Sequence, residues 1–316
     1  MTYIGHDEAW REWRAALAGE RMHHAWLLSG RRGVGKAGFA LQAARELVAG
    51  PPMGNHPDIL WLTHPPKDDK EAEKRVDGKP YEIKRNIPID EIRAMQRRLT
   101  TRPTLGERRV VIVDPADDLE PNAANALLKS LEEPPRGTFF LLVVHRVGRL
   151  LPTIRSRCRV LRFPALPDAA IDAILRVEAP EADQATRAAA IAASAGSPGT
   201  AIDFVGLGLG EIHKLMQQLI EAGDADFARR GKLAEAIGAR PDRQRQLAAI
   251  DLAHSVITQA MRTVEPADIP ALTDAHAQLN RLAAQAPTYN FDPGLLVMEI
   301  GSLLAALGAP REPAHG

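Results

Sequence analysis

The sequence predicts a three-layer α/β domain with a parallel sheet over residues 1–164, followed by an all-helical remainder. Three observations support this. Residues 30–37 read Gly30-Arg31-Arg32-Gly33-Val34-Gly35-Lys36-Ala37, a glycine-rich turn set between a short apolar run and a helical pattern. Short β-branched or aromatic runs alternate with helix-spaced apolar residues as far as Phe163, the pattern of strands buried between helices. After Pro164-Ala165-Leu166-Pro167 the strand signal vanishes and only helical periodicity remains.

In chain order, residues 25–29 form the first strand, and Phe39, Leu41, Ala43, Ala44 and Leu47 give the helix after the glycine turn its apolar face. Residues 59–62 read as a second strand. The stretch 65–85 mixes Lys, Asp, Glu, Pro and Gly without period and reads as a solvated loop. Ile92, Met95 and Leu99 mark an amphipathic helix that carries Arg93, Arg97 and Arg98 on its other faces. Residues 110–113 are a buried strand that delivers Asp114 at its end. Ala124, Leu127, Leu128 and Leu131 then form a helix that Pro134-Pro135 stops. Strands at 139–144 and 160–163 complete the domain. Short helices over 168–177, 182–194 and 200–205 form a small cluster, and longer ones over 211–221, 225–237, 243–261, 269–284 and 293–307 form a further helical domain. The segment 310–316 reads as a frayed tail.

Composition limits the function. The 316 residues carry 40 Lys+Arg and 40 Asp+Glu, but residues 1–164 hold 28 basic against 21 acidic and the rest 12 against 19. Any anionic partner is therefore expected on the first part. One cysteine, Cys158, excludes an internal disulfide and a Cys-rich zinc site. No basic leader precedes an apolar run and no apolar stretch is long enough to span a membrane, so a cytoplasmic protein is expected.

The turn at 30–37 has the parts of a phosphate-binding loop except the last. Glycines let backbone N–H groups approach phosphates, and Lys36 reaches the outer ones. The Ser or Thr that would hold Mg²⁺ is Ala37. Asp114 stands where a strand-end acid would coordinate the metal through water, but Pro115 follows it where a water-orienting carboxylate is needed. Gly30, Gly33, Gly35, Lys36 and Asp114 are thus read as a remnant nucleotide site without hydrolytic parts, and as no metal site. Backbone amides and Lys36 are still able to hold phosphates, so residual ATP or ADP binding stays open. Arg157 lies between two strands in Ile154-Arg155-Ser156-Arg157-Cys158. On spacing alone it is either an ordinary surface arginine or one that reaches a neighbour's phosphate.

The segments His24-Ala25-Trp26-Leu27-Leu28-Ser29-Gly30, the glycine loop, His56-Pro57-Asp58, Ala126-Leu127-Leu128-Lys129-Ser130-Leu131-Glu132-Glu133-Pro134-Pro135 and Ser156-Arg157-Cys158 together resemble the bacterial clamp-loader branch of the AAA+ proteins. The resemblance covers about the first 164 residues. It implies an AAA+ P-loop domain at 1–164, a small helical lid at 165–207 and a helical collar for oligomerisation at 208–316. It also implies a role in DNA replication, with motor (gamma/tau) and delta subunits as partners and the sliding clamp and primed DNA reached through the complex. By the same resemblance Arg157, with Ser156 and Cys158 of its motif, is an arginine finger acting in trans on a motor subunit's ATP. Relatives often carry a four-cysteine zinc module ahead of His56-Pro57-Asp58. Gly50-Pro51-Pro52-Met53-Gly54-Asn55 has no cysteine, so no zinc is expected. Gly199 replaces a lid arginine, and Val143-Val144-His145 blurs the polar residue expected at the end of a strand. These departures imply a member that needs no cofactor and does not itself hydrolyse ATP. The alternatives are an active AAA+ motor subunit, which Ala37 and Pro115 oppose, and a DNA-binding AAA+ remodelling protein.

Overall fold

The computed structural model describes residues 4–19, 21–48, 56–238, 241, 243–262, 265, 268–285 and 293–308. The segments 50–55 and 310–316 singled out in the sequence lie outside the described residues. The chain forms two compact units, Met1–Ala165 and Leu166–Gly316.

In the first unit, α1 (Asp7–Ala18) precedes β1 (Ala25–Ser29), α2 (Lys36–Leu47), β2 (Ile59–Leu62), α3 (Asp69–Val76), α4 (Ile89–Leu99), β3 (Arg109–Val113), α5 (Pro121–Glu132), β4 (Thr138–Val144), α6 (Pro152–Arg155) and β5 (Arg159–Arg162). The five strands are parallel in the order β2-β3-β4-β1-β5. Both faces of the sheet are covered. Trp13, Trp26, Leu28, Phe39 and Ala43 fill one side under α1 and α2, and Leu27, Ile92, Val111, Leu127, Phe140 and Ile154 fill the other under α4, α5 and α6. The expected α/β domain with a parallel sheet is present. So is the helical remainder.

Three elements were not foreseen, α1, α3 and the four-residue α6, which stands just ahead of Arg157 where the sequence shows no helical pattern. α1 has buried Trp10 and Trp13, with Trp13 edge-on to Trp26. α3 corrects the reading of 65–85 as plain loop. It has no apolar stripe, and its one buried residue is Glu71. Asp68 caps it by accepting from the Glu71 N–H at 3.0 Å. Acids occupy its first turn and Lys74 and Arg75 its last, as the helix dipole favours.

The second unit is built from α7 (Asp168–Glu178), α8 (Gln184–Ser194), α9 (Pro198–Gly206), α10 (Gly210–Ala222), α11 (Ala228–Ile237), α12 (Arg243–Ala260), α13 (Ile269–Gln285) and α14 (Pro293–Gly308). One core that includes Leu175, Phe204, Met216, Leu219, Leu233, Ile257, Leu279 and Leu304 runs through all of them. α11 starts three residues later than the 225–237 periodicity suggests. Asp224 is buried and accepts from the N–H groups of Arg229 and Arg230 at 2.9 and 3.0 Å, which takes the preceding residues into a turn.

Candidate functional site

β1 ends at Ser29, and the Gly30 N–H donates to the Val144 carbonyl of β4 at 3.3 Å. A Cβ on Gly30 would fall 2.4 Å from the Phe163 carbonyl oxygen, so only glycine fits that crossing. Gly33 and Gly35 turn the loop at φ 77° and 103°, values that L side chains rarely adopt. α2 then opens directly at Lys36. A helix start behind a glycine turn, with no side-chain cap, is the local geometry that suits anions.

Lys36 is 3% exposed, and its Nζ donates to the carbonyls of Gly30 and Arg31 at 2.6 and 2.5 Å. Burial pushes it down to about 8, against the pull of Asp114 and Asp117. Burial likewise raises the Asp114 carboxyl, against the attraction of Lys36 and His64. β4 lies between β1 and β3, so its end at Val144 falls between the loop and Asp114. There Asp117 accepts from the N–H groups of His145 and Arg146 at 2.9 and 3.1 Å. Burial first, then Lys36, hold the His145 ring down at about 4. Asp118 is held low by His64 at 3.3 Å, Arg146 and Arg149, which outweigh its burial. His6 donates from Nε2 to the Val34 carbonyl at 2.7 Å and meets Phe163 edge-on, which ties the chain start, the loop and the end of β5 together. The structure therefore brings Gly30, Gly33, Gly35, Lys36 and Asp114 to one end of the sheet. Ala37 follows Lys36 in the first turn of α2, and Pro115 leads from Asp114 into a short turn at Ala116–Asp118. Neither offers a metal ligand. Gly199 lies in the second unit, in the first turn of α9, where Ser197 is the cap. Among the described residues no group of three or more His, Cys, Asp or Glu is placed to hold a metal ion.

His56-Pro57-Asp58 is structural. Asp58 is fully buried and accepts from the N–H groups of Thr104 and Leu105 at 2.6 and 2.8 Å, with the Arg109 guanidinium 3.6 Å away. Burial alone would raise its carboxyl, but these donors and Arg109 hold it below the ordinary value. Arg109 donates in turn to the carbonyls of Arg98, Thr101 and Arg102.

Arg157 lies at the other end of the sheet, just ahead of β5. Arg159 pairs with Trp26, and Arg157 lies in the turn just before β5, ahead of that pair. From Trp26 to Gly30 is four strand positions, about 13 Å at 3.3 Å per residue. The Arg157 side chain is 36% exposed. It donates through Nη1 to the Thr153 carbonyl at 2.9 Å and pairs through Nη2 with Glu132 at 2.6 Å. Ser156 Oγ also donates to the Thr153 carbonyl, and the Cys158 thiol is pushed up to about 12 by burial. Beside this turn an open cleft of about 640 Å³ is lined by Ser29, Pro152, Arg155, Ser156, Arg162 and Phe163 among others. Sequence reasoning missed Glu132 as a partner of Arg157 and His6 as a tie on the loop. Glu132 stood inside the quoted Glu132-Glu133-Pro134-Pro135 run, and nothing in the sequence marked His6.

A phosphate loop between β1 and α2, an acid at the end of β3 and a strand inserted between them define a P-loop α/β protein of the AAA+ kind. The chain belongs to the family described as "DNA polymerase III, delta subunit", whose profile matches residues 5–167. It is similar to the DNA polymerase III subunit delta' of Pseudomonas aeruginosa, 37% identical over 171 residues that cover 49% of this chain and 47% of that protein. The subunit delta' of Bacillus subtilis is 34% identical over 168 residues, covering 48% and 46%. The chain thus spans about half the length of the curated relatives it matches. A DNA polymerase III gamma subunit-related protein from Thermotoga maritima shares the fold, at a TM-score of 0.52 and 20% identity over 96% of this chain and all of that one.

Proposed function

We propose that this chain is a non-hydrolysing subunit of the DNA polymerase III clamp loader, in the place that delta' holds among its relatives. In that place it supports ATP-dependent loading of the sliding clamp onto primed DNA. Its partners are the motor (gamma/tau) and delta subunits, with clamp and DNA reached through the complex, in the cytoplasm. It needs no cofactor of its own, and any nucleotide held by Gly30, Gly33, Gly35, Lys36 and Asp114 stays unhydrolysed. The helices at 165–207 act as a lid and those at 208–316 as the collar through which subunits assemble. No helix among the described residues is long and apolar enough to cross a membrane.

The observation that carries this reading is the separation of the two phosphate-directed groups. The four strand positions from Trp26, which Arg159 faces, to Gly30 already span about 13 Å, and Arg157 lies before that pair. That separation supports a role for Arg157 toward another molecule. Placing a receiving loop and a donated arginine at opposite ends of one domain suits a head-to-tail contact between subunits. At a neighbour's γ-phosphate the guanidinium offsets charge that develops in the transition state, an effect of about 10³ to 10⁵ in rate, on the order of 4 to 7 kcal/mol. On the chain's own side, Ala37 and Pro115 leave neither a metal hydroxyl nor a carboxylate to orient water.

The experiment is co-purification with the motor and delta subunits followed by ATPase assays of the chain and of the complex. We expect a stable complex, no turnover by the chain alone, and a clamp- and DNA-stimulated rate in the complex that falls with Arg157→Ala. ATP hydrolysis by the purified chain that Lys36→Ala abolishes would sink the reading.

A further inference from the structure

The end of α5 carries a charge in an unfavourable place. Glu132 is the last residue of that helix, where the aligned backbone carbonyls already concentrate negative potential. What it does have there is Arg157, at 2.6 Å. The strand side fixes the same helix end, since His24 Nε2 donates to the Leu131 carbonyl at 2.9 Å. The carboxylate is thus held on a rigid helix terminus that is anchored to β1. The guanidinium is held from its own side by the Thr153 carbonyl. Both partners of the pair are open to solvent, at 36% and 47% side-chain exposure, and an ion pair in that setting is weak.

We propose that Glu132 is a positioning residue that parks Arg157 in an idle, neutralised setting and releases it to the more highly charged phosphates of an adjacent subunit's nucleotide. This rests on the finger reading given above. Glu132 offers one negative charge and a γ-phosphate with its neighbours offers more, so the phosphate wins once a subunit interface brings it within reach. Until then the carboxylate competes for the Arg157 N–H groups that would otherwise face an approaching neighbour. When Arg157 leaves, Glu132 loses its ion-pair partner at the negative end of α5, where Lys129 is the basic residue of the last turn, which favours the return of the guanidinium after hydrolysis. The pair thereby makes the delivery of Arg157 conditional on a well-formed interface.

The test uses the assembled complex with Glu132→Gln, Arg157→Ala and the double variant, assayed for ATP hydrolysis with and without clamp and primed DNA. Glutamine keeps a hydrogen-bond acceptor for Arg157 and removes the charge. Glu132→Gln should raise the unstimulated rate about two- to fivefold, the range an exposed pair can contribute, and change the stimulated rate less. The double variant should match Arg157→Ala alone, because the effect of Glu132 passes through Arg157. A fall or no change in the unstimulated rate for Glu132→Gln, with Arg157→Ala still impaired, overturns the parking role and leaves the finger reading standing. No effect of Arg157→Ala removes the finger reading itself, and the parking role with it. Matching thermal melts of the Glu132→Gln and parent chains exclude a folding defect.

Discussion

Two groups suited to phosphate stand at opposite ends of one five-stranded sheet, and they are kept in contrasting ways. Lys36 is buried, bonded to the carbonyls of its own loop and pushed down to about 8 by desolvation. Arg157 is partly exposed and paired with a carboxylate that is itself half open to water. A buried cation with internal partners is costly to disturb, whereas an exposed ion pair is held only loosely. The contrast separates an end of the domain that is set into the fold from one whose cation is held only by an exposed pair.

The largest effect should separate the two ends directly. In the assembled complex, Arg157→Ala should slow hydrolysis at the site proposed for its guanidinium by about 10³ or more. Lys36→Ala in the same complex should leave the stimulated rate within about twofold, the scale of changes that touch no transition-state contact. Steady-state and single-turnover ATPase assays check both, and a comparable loss from Lys36→Ala would break the comparison.

Next in size is a change at the buried end of β2. Asp58→Ala removes the acceptor for two backbone N–H groups and leaves Arg109 buried beside no carboxylate. Urea denaturation should show a loss of about 3 to 5 kcal/mol, with partner ATPase intact in whatever protein folds.

A third test concerns the cost of Lys36. Its folded-state value is below that of an unfolded lysine, so the unfolded chain binds the extra proton between about pH 8 and the ordinary lysine value. Burial of the charge therefore weighs fully below pH 8 and is relieved as pH rises through that window. Lys36→Met should stabilise the isolated chain by about 1 to 2 kcal/mol at pH 7, with the gain fading toward pH 10. Denaturation midpoints of the two chains across pH read this difference. A destabilised variant at pH 7 would mean that the carbonyl bonds outweigh the burial.

The smallest expected effect is that of Ala37→Thr. A hydroxyl placed at that position leaves Pro115 where a water-orienting carboxylate is needed, so ATPase should remain undetectable. Any Mg²⁺-dependent gain in nucleotide affinity should stay below about tenfold, the value of one added ligand of modest strength. Nucleotide titration by calorimetry with and without Mg²⁺ measures it.

The sequence made much of this legible because the signals are local. Continuous β-branched runs such as Val110–Val113 mean burial on both faces, and glycines ahead of a lysine and a helical pattern mean a phosphate loop. α3 escaped because amphipathic period is the wrong test for a helix held by Asp68 and end charges with no apolar face. α1 was passed over although Trp10 and Trp13 have helical spacing and lie against Phe39 and Trp26. The start of α11 shifted because Asp224 takes its backbone N–H groups from a distance of several residues. At the site, the identity of the groups was readable but their engagement was not. The contact of Glu132 with Arg157 spans 25 positions and depends on how α5 and α6 pack. The same holds for Asp117 gripping the turn after β4, which only the strand order brings within reach.

The bonds from Lys36 to the carbonyls of Gly30 and Arg31 carry a last consequence, for ligand competition. Those carbonyls are tethered rivals of any phosphate, present at a fixed effective concentration that no dilution lowers. Apparent affinity for a nucleotide then equals the intrinsic affinity scaled by the fraction of molecules in which Lys36 has let go. A loop able to keep its glycines and its lysine and still bind weakly needs no missing residue, only a side chain whose own backbone is the nearer ligand.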